Sequence, residues 1–88
     1  MLQRAQLAYN KGQFKESIQI LVDGRKRSKR DKRTFTQFLE AYYNETALRL
    51  LDADKIEASV TRFEEGLKLL PNSETLKQNL DFAKSEQE

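Results

Sequence analysis

The feature that most constrains this chain is its likeness to itself: shifted by 42 residues, one half superposes on the other. Ala5 falls on Ala47, Ala8 on Leu50, Phe14 on Ile56 and Ser17 on Ser59. Ile18 falls on Val60, Leu21 on Phe63, Gly24 on Gly66 and Lys26 on Lys68. A repeat of this period marks one supersecondary unit used twice, with neighbouring copies burying the face that neither could bury alone.

Apolar spacing says what the unit is. Residues on one face of a helix recur every three or four positions, and the apolar residues here do so throughout. The first helix is expected over about Met1–Lys11, with Leu2, Ala5, Ala8 and Tyr9 on one face and Gly12 as its stop. The second runs from about Phe14 to Arg27, striped by Ile18, Leu21 and Val22. The third, about Thr34–Leu51, carries Phe35, Phe38, Leu39, Tyr42, Thr46 and Leu50, with Asp52-Ala53-Asp54 as its turn. The fourth, about Ile56–Leu70, carries Ile56, Val60, Phe63, Leu67 and Leu70, and Pro71 ends it. Ser73, with Asn72, offers an N-cap to a fifth helix, about Glu74–Ser85, carrying Leu76, Leu80 and Ala83. No strand is needed, so the expected fold class is all-α: two antiparallel helical hairpins with a fifth capping helix. At 88 residues the chain has room for a single domain with a thin core.

In each half a small residue sits in the first helix (Ala5, Ala47) and a large one just after the turn (Phe14, Ile56). A small residue comes three positions later (Ser17, Ser59), a large one four further on (Leu21, Phe63), then another small one (Gly24, Gly66). In these positions the chain resembles the tetratricopeptide repeat family. Pro71 matches the family's closing proline, and residues 71–80 resemble its C-terminal solvating helix. The resemblance divides the chain into repeat one (1–33), repeat two (34–71) and a capping helix (72–88). The family period is about 34 residues, so eight residues are extra here. They lie around Arg27–Phe35, and sharing them would lengthen the second and third helices by about one turn each, with a loop at about Ser28–Arg33. Two repeats plus a cap suggest a C-terminal fragment or a stabilised small unit, since three repeats are usually needed.

The resemblance implies a scaffold or adaptor that binds a peptide or helix in a concave groove lined by the first helix of each repeat. Carried over by position, the groove takes Leu2, Gln6, Tyr9 and Asn10 from the first repeat. The second contributes Asn44, Leu48, Leu51 and Asp52, and the closing helix Gln78 and Phe82. Leu48 and Phe82 lie off the core stripes of their own helices, as partner-facing residues would. The family's clamp for C-terminal carboxylates requires basic and Asn side chains where Leu2, Gln6 and Leu48 stand, so the resemblance does not extend to chaperone tails.

Charge raises a second reading. The net +2 is divided unequally: ten Lys/Arg against three Asp/Glu in residues 1–33, and six against eleven in 34–88. Most of the excess is one run, Arg25-Lys26-Arg27-Ser28-Lys29-Arg30-Asp31-Lys32-Arg33, with seven basic residues in nine. It is either a well-solvated inter-helix loop or a contact for nucleic acid, an acidic surface or an import receptor. No aromatic residue is interleaved, which argues against base stacking. Self-association through the uncapped first hairpin is a third reading.

Catalysis finds little to work with. There is no His, the commonest general base, and no Cys, the strongest nucleophile. Asp52/Asp54 and Glu64/Glu65 read as turn and solvated-face residues. The chain is expected to be no enzyme and to need neither cofactor nor metal. Apolar runs are too short to span a bilayer, so no membrane partner is expected. The absence of Cys suits a reducing compartment, the cytoplasm first and the nucleus as the alternative.

Overall fold

Five helices and no strand occupy the described residues, 2–87, of the computed structural model. They are α1 (Leu2–Asn10), α2 (Phe14–Arg27), α3 (Lys32–Asp52), α4 (Ile56–Leu69) and α5 (Glu74–Gln87). The all-α class and the number of helices agree with the apolar spacing. The chain divides into two compact units, Met1–Leu39 and Glu40–Glu88, with the boundary inside α3.

In the first unit α1 and α2 form a packed hairpin. Its core gathers Ala5, Ala8, Ile18 and Leu21, and Phe35 and Leu39 of α3 are buried as well. The second unit buries Tyr42, Tyr43 and Ala47 of α3, Val60 and Phe63 of α4, Leu70, and Leu76 and Ala83 of α5. Burial lifts the Tyr42 and Tyr43 phenols above their usual range, with Glu45 and Glu65 adding to the effect respectively; Arg62 partly opposes it at Tyr43.

The 42-residue likeness is visible bond by bond. At the end of α1, Gln13 N–H donates to the Ala8 carbonyl (2.9 Å) and Gly12 N–H to that of Tyr9 (3.0 Å). At the end of α3, Lys55 N–H donates to Leu50 (2.8 Å) and Asp54 N–H to Leu51 (3.0 Å). Both are the crossed pair that closes a helix over a left-handed residue. Gly12 has φ 82° and Asp54 φ 63°. The C-terminal ends of α2 and α4 also agree: Ser28 N–H donates to Gly24 (3.0 Å) and Leu70 N–H to Gly66 (2.9 Å). The seryl pair differs in use. Ser17 Oγ donates to Phe14 in its own helix (2.7 Å), whereas Ser59 Oγ donates to Ala47 (2.7 Å) and ties α4 to α3.

The two left-handed positions make opposite predictions. A Cβ at Gly12 would meet nothing within 4 Å, so Gly12→Ala carries the backbone penalty alone and should cost about 1 kcal/mol. Asp54 already bears that penalty, and Asp54→Gly should recover several tenths to about 1 kcal/mol. Urea denaturation of the two variants measures both; equal signs would contradict the shared turn.

The extra residues are not shared between α2 and α3 as expected. α2 and α4 have the same 14 residues, so α2 is not lengthened; α3, with 21, takes the excess. The expected loop at 28–33 shrinks to 28–31, because Lys32 and Arg33 already belong to α3. That turn is closed by side chains: Asp31 N–H donates to Ser28 Oγ (3.3 Å), whose hydroxyl donates to the Asp31 carboxylate (3.2 Å). Smaller differences have equally local causes. α1 ends at Asn10 because Lys11 and Gly12 form the turn. The expected start at Met1 lies outside the described residues. α4 stops at Leu69 because Leu70, preceding Pro71, is held out of the helical region at φ −127°, ψ 68°. α5 continues to Gln87, two residues past the expected end. Its N-cap is Ser73 as read, with Leu76 N–H donating to Ser73 Oγ at 3.2 Å.

Candidate functional site

Each unit presents a different set of candidate residues. On α1, Gln3, Gln6, Leu7 and Asn10 fall at helical spacing and line one shallow hollow. Gln6 and Asn10 were expected on such a face. Leu2 and Tyr9 are instead half-buried, and the apolar residue offered to solvent is Leu7, 58% exposed. Leu7 was missed because the groove was assigned by family position; its place off the Leu2-Ala5-Ala8-Tyr9 stripe was the available signal.

In the second unit two side-chain bonds hold α5 beside α3. Ser73 Oγ donates to the Glu40 carboxylate, and Asn79 Nδ2 donates to Asn44 Oδ1 at 2.6 Å. The partners advance together along both helices, from Ser73 to Asn79 and from Glu40 to Asn44. The two helices therefore run parallel. One turn further along come Leu48 on α3 and Phe82 with Ala83 on α5. Ala83 is fully buried and Leu48 is half-buried, whereas Phe82 is 54% exposed. Leu51 is half-buried, and Gln78 and Asp52 are exposed. Phe82, Gln78 and Asp52 are thus the exposed members of the candidate face here. Leu48 also serves packing, and the Asn44 amide oxygen is engaged by Asn79. Sequence reasoning missed the Glu40–Ser73 and Asn44–Asn79 pairs, which join residues 33 and 35 positions apart.

The basic run straddles a helix end, a turn and a helix start. Arg25, Lys26 and Arg27 form the last turn of α2, Lys29 and Arg30 lie in the turn, and Lys32 and Arg33 open α3. Arg25 is half-buried and the other six are exposed. Among the described residues no carboxylate pairs with any of the seven; the ion pairs are Glu45–Arg49, Arg62–Glu65 and Glu74–Lys77.

Among the described residues no three His, Cys, Asp or Glu side chains are grouped to hold a metal ion, and no helix is long and apolar enough to cross a membrane. Comparison of the chain with models of known protein families, with curated sequences and with solved structures returns no significant match.

Proposed function

We propose that the chain is a tetratricopeptide-like protein–protein interaction module, a scaffold or adaptor that captures a peptide or helix through apolar anchors. The observation that carries the reading is Phe82. An aromatic ring left 54% exposed on a helix offers a large apolar face that a partner can bury. Here the helix that bears it is capped by Ser73 and bonded to α3 through Ser73 and Asn79, so the ring is presented from a fixed support. A support ordered beforehand lowers the entropic cost of binding, and aromatic anchors dominate many interfaces. Leu7 on α1 supplies an exposed apolar residue in the other unit.

Selection from a random-peptide display library on the immobilised chain, followed by titration of the recovered peptides, tests the reading. Phe82→Gln should leave urea stability within about 0.5 kcal/mol of the parent and weaken peptide binding by about 30-fold, equivalent to ~2 kcal/mol. Peptides that bind parent and variant equally would overturn the assignment of Phe82. Leu48→Gln is the less discriminating variant, because a half-buried leucine also contributes to the fold.

A further inference from the structure

We infer that the α2–α3 turn is a sequence-independent docking site for the phosphate backbone of a nucleic acid. The argument begins from what the basic run does to the fold. Cations are favourable in the last turn of a helix and unfavourable in the first. Arg25, Lys26 and Arg27, at the end of α2, are therefore placed as stability would place them. Lys32 and Arg33 are not: they open α3, whose first turn holds no acidic residue. Lys29 and Arg30 stand between the two groups, and no described carboxylate pairs with any of the seven. Asp31, the one acidic residue in the run, accepts the Ser28 hydroxyl and closes the turn. Helix capping thus explains fewer than half of these charges, and the remainder repel one another in the folded chain.

The composition of the run selects the partner. Four of the seven are Arg, whose planar fork engages two phosphate oxygens at once. Residues 25–33 contain no aliphatic or aromatic side chain. Protein interfaces ordinarily combine Arg anchors with buried aromatic residues at their centre, and the run supplies none of the latter. A bilayer would require an apolar insertion as a second signal beside the charge. A polyphosphate backbone needs neither, and its charge density, one per ~1.7 Å of duplex, suits a dense one-sign cluster. With no aromatic residue in the run, bases are not stacked and sequence is not read.

The test is fluorescence anisotropy of the full chain with labelled DNA duplexes of two unrelated sequences. We expect equal affinity for both, and a log–log salt slope of about −5 to −6 if six or seven phosphates are neutralised. Replacing Lys26, Arg27, Lys29 and Arg30 with Ser should reduce the slope by between about three and four. Lys29→Ser with Arg30→Ser alters the turn alone and should reduce it by about two, whatever the fourfold change does to α2. Lys68→Ser with Lys84→Ser, remote in sequence, should leave affinity within about twofold. The inference is overturned if the parent binds neither duplex at low salt, if its binding is insensitive to salt, or if the turn variant binds as the parent does. It is equally overturned if the run binds only phosphatidylserine vesicles, or only the acidic half of a second copy, seen as low-salt dimers without duplex binding.

Discussion

Phe63→Ala is expected to lower the unfolding free energy by about 3–5 kcal/mol, the usual cost of emptying a buried phenylalanine site. Phe63 lies in the middle of α4 with none of its surface exposed, and it has the largest fully buried side chain among the described residues. Its neighbours on the same face of α4, Ser59 and Gly66, are both buried where α4 approaches α3, and neither can fill the void. For a domain this small the loss is comparable to the whole stability, so the variant should be partly or wholly unfolded at room temperature. Urea titration followed by far-ultraviolet circular dichroism measures it, with exposed Thr61→Ala as the reference, expected within about 0.5 kcal/mol of the parent. A Phe63 variant inside that band would show that the repeat register is displaced. The matching experiment on the first unit is Leu21→Ala, also fully buried, for which about 2–5 kcal/mol is expected.

Such expectations could be framed before any coordinates because helix packing writes itself into spacing. Ala5, Ser17, Leu21 and their partners Ala47, Ser59 and Phe63 are fully buried, as a period of three and four requires. Pro71 and Ser73 set one boundary through chemistry that depends only on adjacent residues. The basic run is the opposite case. Nine polar residues carry no apolar period: the end of α2 falls at Arg27 as expected, but α3 opens at Lys32 and not at about Thr34, directly after the turn that the Ser28–Asp31 bonds close. Exposure was legible only in part. Leaving its own helix's stripe correctly marked Phe82 and would have marked Leu7. Leu48, which also leaves the stripe, is half-buried and not solvent-facing. The left-handed Asp54 was hidden for another reason: an aspartate in a turn is ordinary, and only the glycine at the equivalent position hints at the strain.

Gly66 carries the other large expected effect, and here the sign is the test. A glycine inside a helix ordinarily costs about 1 kcal/mol relative to alanine, so Gly→Ala in open space stabilises. At Gly66 a Cβ would stand 2.9 Å from Tyr43 Cγ, 3.0 Å from Tyr43 Cβ and 3.0 Å from Leu76 Cδ1. Leu76 Cδ1 is the end of a flexible side chain and can yield. The Tyr43 atoms adjoin the backbone of α3, so relief requires α3 and α4 to separate and loosen the packing around Phe63. Overpacking of this kind costs roughly 1–3 kcal/mol, enough to outweigh the gain in helix propensity. Gly66→Ala should therefore destabilise, and Gly66→Val, with two further methyl groups, should do so more severely. A double-mutant cycle locates the cause. In a Tyr43→Ala background the Cγ contact is gone, and the added cost of Gly66→Ala should shrink by about 0.5 kcal/mol or more. In a Thr61→Ala background, where the side chain removed is exposed, the cost should be unchanged. Stabilisation by Gly66→Ala, or a cost indifferent to Tyr43, would mean that the helices do not approach at this glycine.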